Sequence, residues 1–409
     1  MLPAITRGIP VQGSLFQSTP QRSDPRKGFP MFFPRTLFLA SCLICSSRLA
    51  ANAEGVTLPI PVRIEKLESA KVGETREFWV SLPDGYFENE ERFPVVYMMD
   101  GDFNFNSGGI GAVRHAAQLG ETPEFIIVGI KNTNRSKDIF PEVVTYADGS
   151  KDGGRADQYL DFIQEELIPH IEKTYRTENF RVLYGTSNSG FTAVYSLFRN
   201  PATANAYIAA SATLSIPYFR KERDNLIRDF KGGRRRLSLV MGEHDFPTVI
   251  SGSGALKEQI GLNAPVGLSC RLAVIRNGEH VPANSLIEGL RDLFDGWKVT
   301  QRLTEASFPE IRAQVEARLS KFGVPGKLPE DALRELGKTL LGEKKFDMAI
   351  EVFEYRARTF PRSADAQVSL GDAYGQAGKP EKARECYQQA LSLAPGHAAA
   401  RARLEQKEK

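Results

Sequence analysis

The sequence is short of the residues that hold disulfide-rich or metal-bound proteins together. Its 409 residues include four cysteines and five histidines, and Cys42 and Cys45 lie in a segment that we expect to be removed. Cys270 and Cys386 then remain, which is too few for a disulfide framework. No spacing typical of a zinc or iron-sulfur site is present, so the sequence predicts no metal and no cofactor.

The chain also lacks a strong charge of either sign and a long apolar run. It carries 53 Lys and Arg against 50 Asp and Glu, a formal net charge of +3. Nucleic acid is not a predicted partner, because proteins that bind it usually present a dense basic surface. No run reaches the roughly 18 to 20 apolar residues of a transmembrane helix, and the composition predicts two or three globular domains.

Residues 1–53 are predicted to be a leader and a secretory signal peptide that starts at Met31. An arginine, an apolar run over residues 37–45 and small residues up to Ala53 are typical of such a signal, with cleavage after Ala53. The alternatives are a buried N-terminal helix and a lipoprotein signal that leaves a lipid anchor on Cys42. We therefore expect a periplasmic or secreted protein.

Residues 54–300 are predicted to form one α/β domain, because short runs rich in Val, Ile and aromatic residues alternate with amphipathic stretches. In Asp157 to Tyr175, apolar residues recur three or four apart, which predicts a helix on the sheet with a kink or break near Ile168, before Pro169. The predicted strands, the first two forming an antiparallel edge, are 62–64, 78–82, 95–99, 125–130, 181–184, 207–210, 237–241 and 272–275.

The C-terminal part of the chain repeats with a period of 34 residues, which resembles two tetratricopeptide repeats over residues 330–400. About three such repeats normally complete a core, so a helix at Phe308 to Phe322, within a linker at 301–329, is expected to pack against them. Residues 401–409 form a charged tail. The matched pairs are Leu336 and Leu370, Gly337 and Gly371, Ala349 and Ala383, Phe353 and Tyr387, and Pro361 and Pro395.

The segment RVLYGTSNSG, residues 181–190, predicts a strand that turns sharply into a helix at Ser187. Such a turn exposes the serine oxygen at a helix N-terminus, where developing negative charge is favoured. Ser189 replaces the second glycine of the G-x-S-x-G pattern and is followed by Gly190. A serine in a turn rich in Gly and Ser is otherwise an ordinary loop residue, so the strand-turn-helix context is what favours a nucleophile.

A nucleophilic serine needs a base and an acid that orients the base. Asp245 and His280 each follow a predicted strand, and the order Ser, Asp, His is typical of α/β-hydrolases. Glu243 is the alternative acid, and Asp245 is favoured because it lies further into its loop. His244 competes as the base, and a metal site formed with it has no supporting ligand spacing.

Acyl transfer also requires hydrogen-bond donors for the negatively charged oxygen of the tetrahedral intermediate. The predicted donors are the backbone N–H groups of Asn188, next to the serine, and of Asp102, in the loop after the first central strand. Asn132, Asn134 and Arg135 follow another central strand and are candidates for contact with a polar or anionic substrate. Ordinary loop polarity is the alternative for these three residues.

The segments VVYMMDGD at 95–102, VGIKNTNR at 128–135 and GEH at 278–280, with the turn at Ser187, resemble an esterase family related to esterase D and the enterobactin-type siderophore esterases. The resemblance covers roughly residues 62–298. It implies an α/β-hydrolase in which Ser187 is the nucleophile, His280 the base and a residue near Asp245 the acid. Thr186, where a histidine is common, and the serine two residues after the nucleophile bear on the substrate subgroup.

Two functional hypotheses follow. The first is a periplasmic or secreted serine esterase that hydrolyses a small-molecule carboxylic ester or thioester through an acyl-serine intermediate. The alternative is a catalytically inactive hydrolase-fold scaffold whose repeats bind a protein partner, a hypothesis that the departure at Ser189 motivates.

Overall fold

The computed structural model describes residues 61–405, except 85, 88–90, 146–147, 264, 298–305, 323–327 and 329. The predicted signal peptide, its cleavage position at Ala53 and the alternative anchor at Cys42 lie outside the described residues. None of the described helices combines the length and the apolar character that a bilayer crossing requires.

An eight-stranded sheet forms the centre of the first domain, with the spatial order β1-β2-β4-β3-β7-β8-β9-β10. Strand β2 pairs antiparallel with both β1 and β4, and all other neighbouring strands of this sheet are parallel. All eight strands predicted from the sequence are present. Their bounds are β1 Val62–Ser69, β2 Glu74–Ser81, β3 Phe93–Met98, β4 Ile126–Ile130, β7 Thr177–Thr186, β8 Ala206–Ala210, β9 Arg235–Gly242 and β10 Leu268–Ile275, and a separate hairpin contains β5 Val144–Thr145 and β6 Lys151–Asp152.

Helices cover both faces of the sheet, which is why β3, β4 and β8 are buried along their whole length and consist largely of apolar residues. One face packs against α4 to α8, and the other packs against α2 and α9. The helices are α1 Gly101–Asn104, α2 Ile110–Gln118, α3 Arg135–Asp138, α4 Ala156–Asp161, α5 Ile168–Thr174, α6 Asn188–Arg199, α7 Pro217–Arg228, α8 Pro247–Asn263 and α9 Ser285–Leu293.

The helical path from α4 to α5 does not break at Pro169. A π-helical segment, Phe162–Leu167, joins the two helices, and Leu167 and Ile168 both keep helical backbone angles. A wider π turn next to a proline accommodates both the missing N–H group and the ring. The disturbance expected near Ile168 is therefore a local change of helix type instead of a break.

Helix α10 Phe308–Phe322 precedes the repeats, and the helices that follow it begin at positions with the 34-residue period. These are α11 Glu330–Gly342, α12 Phe346–Thr359, α13 Ala364–Gln376, α14 Pro380–Leu393 and α15 Ala398–Glu405. A Cβ at Gly337 would lie 2.3 Å from the ring of Phe353, and one at Gly371 would lie 2.5 Å from the ring of Tyr387. The repeated glycine and aromatic residue therefore form one close helix contact in each repeat. Helix α10 contributes to the core of the first repeat, where Ile311 packs with the apolar side chains of α11 and α12.

The end of α10 also contacts the sheet domain. The ring of Phe322 stacks on Phe294 with a centroid distance of 5.5 Å, and the guanidinium carbon of Arg236 lies 4.3 Å from the Phe322 ring centre. In α11, the backbone N–H of Glu330 donates to the carboxylate of Glu91 at 3.2 Å. The repeat region and the sheet domain therefore share packed side chains as well as a linker.

Candidate active site

The carboxyl ends of the parallel strands carry most of the strained backbone in the described part of the chain. Six non-glycine residues there have positive φ, and five of them, Asp100, Ser187, Ser211, Asn277 and Val281, lie within a few residues of the ends of β3, β7, β8 or β10. Such conformations cost about 1–3 kcal/mol each and cluster at functional sites. The strain therefore marks the same edge of the sheet at which the sequence predicts an active site.

Ser187 lies on a sharp turn between β7 and α6. Its backbone has φ 54° and ψ −119°, and its N–H donates to the carbonyl oxygen of Ala210 at 2.8 Å. Gly185 allows this turn, because a Cβ there would lie 2.2 Å from the carbonyl oxygen of Ser189. Ser187 thereby precedes a 12-residue helix whose dipole favours negative charge near its first turn.

The structure brings Ser187, His280 and Asp245 into one hydrogen-bonded chain. His280 Nε2 lies 3.0 Å from Ser187 Oγ, and His280 Nδ1 lies 2.7 Å from Asp245 Oδ1. The Asp245 side chain is fully buried, whereas the His280 side chain is 27% exposed. With its proton on Nδ1, a neutral His280 donates to the buried carboxylate and leaves Nε2 free to accept the serine proton.

The two alternative residues occupy other positions. The carboxylate of Glu243 is exposed and accepts from the backbone N–H of Asn277 at 2.9 Å, so it supports the loop that carries His280. His244 is also exposed, and its backbone N–H donates to Gly278 at 2.8 Å. Asp245 is therefore the acid that the geometry pairs with His280.

The two predicted oxyanion donors both lie in the first turn of a helix. Asn188 is the first residue of α6, and its side-chain oxygen accepts from the Thr213 hydroxyl at 2.8 Å. Asp102 is the second residue of α1, a turn in which the N–H groups of Phe103 and Asn104 donate to the carbonyl oxygen of Asp100. Backbone N–H groups at such positions have no carbonyl partner inside the helix. Their role as oxyanion donors stays a prediction.

The carboxylate of Asp100 forms a second hydrogen-bonded centre at this edge. Asp100 is 4% exposed. Its carboxylate accepts hydrogen bonds from the Ser189 hydroxyl at 2.7 Å, the Asn132 amide at 2.9 Å and the Arg135 Nε at 2.8 Å. Ser189 Oγ also accepts from the backbone N–H of Thr186 at 2.9 Å. The serine that replaces the second glycine of the motif therefore ties the nucleophile turn to the loop after β3.

The polar loop after β4 is engaged within the protein. Asn132 and Arg135 turn inward to Asp100, and Asn134 caps α3 by accepting from the backbone N–H of Lys137. Asn132 and Arg135 contact Asp100 because its buried carboxylate requires donors and a positive charge nearby. Contact of the three side chains with a substrate stays a prediction.

A cavity of about 160 Å³ lies between the segment from α1 to α2 and the loop after β10. Val281, which follows His280, and Phe103, which follows Asp102, both line it. Its floor includes Tyr184, a residue that is 5% exposed and whose hydroxyl has no hydrogen-bond partner among the described residues. Burial, reinforced by the charge of Asp100, raises the pKa of Tyr184, so its hydroxyl stays protonated and can donate.

Two further residues at the site were missed in the sequence. The buried hydroxyl of Ser211 donates to Asp245 Oδ2 at 2.5 Å, and the ring of Phe246 lies 4.6 Å from the ring of His280 with 58% of the residue exposed. The position of Phe246 directly after the predicted acid was an available signal. Ser211 follows a run of alanines at the end of β8, and nothing in that run indicates a partner 34 positions later in the chain.

Comparisons with known proteins match both parts of the chain. Residues 69–228 match the family described as "Putative esterase", and residues 364–397 match the tetratricopeptide repeat. The uncharacterized protein YbbA of Bacillus subtilis is 30% identical over 184 residues, which cover 44% of this chain and 72% of that relative. A siderophore triacetylfusarinine C esterase of Aspergillus fumigatus is 30% identical over 132 residues, which cover 30% of this chain and 44% of that protein.

Among solved structures, an IroE-like serine hydrolase from Shewanella oneidensis superposes with a TM-score of 0.66 at 24% identity. The match covers 73% of this chain and 100% of that chain. This similarity shows the fold. Together with the sheet order and the repeat match, it confirms the predicted α/β-hydrolase domain with a helical repeat extension.

The contacts of Ser189 predict that its hydroxyl stabilises the fold. Replacing Ser189 by Ala leaves the Asp100 carboxylate and the Thr186 N–H each without one buried partner, which should lower the free energy of unfolding by about 1–3 kcal/mol. Chemical denaturation measures this change. The matched control is Ser238→Ala, because Ser238 is fully buried and its hydroxyl has no partner among the described residues. Equal stabilities of the two variants would contradict the assignment.

Proposed function

We propose that this chain, which belongs to the esterase family, is a serine hydrolase that cleaves a carboxylic ester or thioester through an acyl-Ser187 intermediate. Membership of the family makes the chain a hydrolase, and the serine mechanism is our inference. The observation that carries it is the path from Ser187 Oγ through His280 to Asp245, with separations of 3.0 and 2.7 Å.

In the acylation step, Ser187 Oγ attacks the ester carbonyl carbon while His280 Nε2 takes the serine proton. The carbonyl oxygen becomes negatively charged and accepts hydrogen bonds from the backbone N–H groups of Asn188 and Asp102. The buried carboxylate of Asp245 stabilises the imidazolium that forms. His280 then gives its proton to the departing alcohol or thiol, which leaves an acyl group on Ser187.

In the deacylation step, water takes the place of the alcohol. His280 Nε2 accepts a proton from this water while the water oxygen attacks the acyl carbon. The backbone N–H groups of Asn188 and Asp102 again bind the oxyanion. The proton returns to Ser187 Oγ as the acid product leaves. The 27% exposure of the His280 side chain is consistent with access for this water.

The cavity at Tyr184 supports a compact substrate group beside the ester bond. Its volume of about 160 Å³ is close to that of an engineered apolar cavity of about 150 Å³ that holds one benzene molecule. The walls include the side chains of Ala112 and Leu286, and the Tyr184 hydroxyl offers one donor. We therefore propose a group no larger than roughly one ring or a chain of similar volume, with a hydrogen-bond acceptor.

Siderophore esters are one candidate class of substrate. The fungal relative carries the name of a siderophore esterase and shares 30% identity with this chain over 132 residues, although the match covers only 44% of that protein. The signal peptide predicted before Glu54 makes export part of the proposal, since extracellular esters would then be accessible to the enzyme.

Two acids in one loop provide a matched test of the proposed triad. Asp245→Asn removes the charge that orients His280 and should lower kcat for p-nitrophenyl butyrate by about 10³- to 10⁴-fold. Glu243→Gln should keep kcat within about twofold, because the glutamine side-chain oxygen can still accept from the backbone N–H of Asn277. For each variant, the residual turnover of Ser187→Ala is subtracted as background, so that only hydrolysis dependent on Ser187 is compared. The reverse pattern for the two acids would overturn the assignment of Asp245.

The size of the cavity predicts selectivity among esters. Ala112→Leu adds three carbons to the cavity wall and should lower kcat/KM for p-nitrophenyl butyrate at least about tenfold, with little change for p-nitrophenyl acetate. Ala117→Leu, on the same helix but outside the cavity, is the control.

If the aryl alcohol occupies the cavity instead, Ala112→Leu slows every p-nitrophenyl ester and spares ethyl butyrate. Both patterns support a binding role for the cavity and distinguish the acyl group from the alcohol. Equal kcat/KM values for parent and variant on all three esters would contradict that role.

A further inference from the structure

The hydroxyl of Ser211 joins the two loops that carry the proposed acid and base. It donates to Asp245 Oδ2 at 2.5 Å and accepts from the backbone N–H of Val281 at 2.8 Å. A serine hydroxyl has one proton to donate and two lone pairs with which to accept, so one side chain can make both bonds. Ser211 is completely buried, and its only resolved side-chain bonds among the described residues are these two.

The bond to Asp245 determines which carboxylate oxygen faces His280. Asp245 Oδ1 receives His280 Nδ1 at 2.7 Å and the backbone N–H of Phe246 at 2.8 Å. The other oxygen, Oδ2, receives Ser211, while the backbone N–H of Gly242 lies at the limit of hydrogen bonding, 3.5 Å away. Without Ser211, Oδ2 therefore retains only this weak donor, and rotation of the carboxylate is less restricted.

The bond to Val281 holds the peptide group directly after His280. Val281 has φ 54°, a conformation that is strongly disfavoured for a β-branched residue. A strained backbone of this kind persists only when surrounding contacts fix it. The Ser211 hydroxyl supplies one such contact, and the orientation of the preceding His280 depends on this backbone.

Ser211 is itself held in an unusual conformation. Its φ is 47°, and its N–H donates to the carbonyl oxygen of Val240 at 2.7 Å, which anchors it to the end of β9. Serine is less suited to this conformation than glycine. The chain therefore keeps a strained serine, with its hydroxyl directed at Asp245, at a position where glycine would fit the backbone better.

We propose that Ser211 is a positioning residue of the hydrolase, which fixes the Asp245 carboxylate and the His280 loop in one hydrogen-bonded unit. The inference rests on the proposed function and adds a residue to it. Ser211 has no contact with the substrate in this account. It acts through Asp245 and His280, so its loss should lower the rate of the chemical step without weakening substrate binding.

The test uses two replacements that remove the same hydroxyl but differ in backbone strain. Ser211→Ala keeps a side chain at positive φ, whereas Ser211→Gly suits that φ and should fold at least as readily. Both variants of the full-length protein are expected to lower kcat for p-nitrophenyl butyrate about 10- to 100-fold and to change KM by less than about threefold. Ser238→Ala, which removes a buried serine hydroxyl without partners among the described residues, should leave both constants unchanged.

A second readout does not depend on turnover. In the parent protein, the proton shared between His280 Nδ1 and Asp245 should give a downfield proton NMR signal that is absent in His280→Gln. In both Ser211 variants this signal should weaken through faster exchange with water, and in Ser238→Ala it should persist.

Three outcomes are decisive. Lower kcat with unchanged KM in both Ser211 variants supports the proposal. An active parent whose Ser211 variants keep kcat and the downfield signal would overturn the role of Ser211 and leave the proposed function intact. A folded parent without turnover that depends on Ser187 would overturn the proposed function, and the positioning role with it.

Discussion

The buried carboxylate of Asp245 is the constraint on which the rest of the site depends. A carboxylate removed from water must be surrounded by hydrogen-bond donors, and here they come from His280, from Ser211 and from the backbone of its own loop. These donors lie after β8, β9 and β10, so one side chain joins three strand ends. Asp100 has a similar role on the other side of Ser187, where it joins the ends of β3, β4 and β7 through Arg135 and Ser189.

Much of the fold could be predicted because its causes are local in the sequence. Central strands buried on both faces are continuous apolar runs, and β3, β4 and β8 could be recognised in this way. The period of 34 residues was equally clear, since a glycine must face an aromatic ring in each repeat. The nucleophile turn also has a local cause, because Gly185 is required where the strand turns back against Ser189. The order of Ser187, Asp245 and His280 then followed from the strand pattern.

Other parts of the site depend on contacts between residues that are distant in the chain. Ser211 and Asp245 are 34 positions apart, and Arg135 and Asp100 are 35 apart, so no periodicity connects them. The sequence showed polar side chains after β4 but not their direction, so it left open both substrate contact and ordinary loop polarity for Asn132 and Arg135. The serine in place of the second glycine was interpreted as a reason to doubt activity, whereas its hydroxyl bonds to Asp100. Pro169 was expected to disturb its helix, but the sequence did not indicate that a π turn would accommodate it.

The environment of Ser187 should make it a nucleophile, and covalent labelling tests this without knowledge of the substrate. Protein that begins at Glu54, the residue after the proposed cleavage position, would be treated with a fluorophosphonate, and the modified residue located by peptide mass spectrometry. We expect one phosphonylated residue, Ser187. Labelling should be retained in Ser251→Ala, a variant at an exposed serine of α8, and lost in Ser187→Ala. A folded protein that takes no label, or that is labelled equally without Ser187, would contradict a nucleophilic Ser187 and favour a scaffold whose repeats bind a partner.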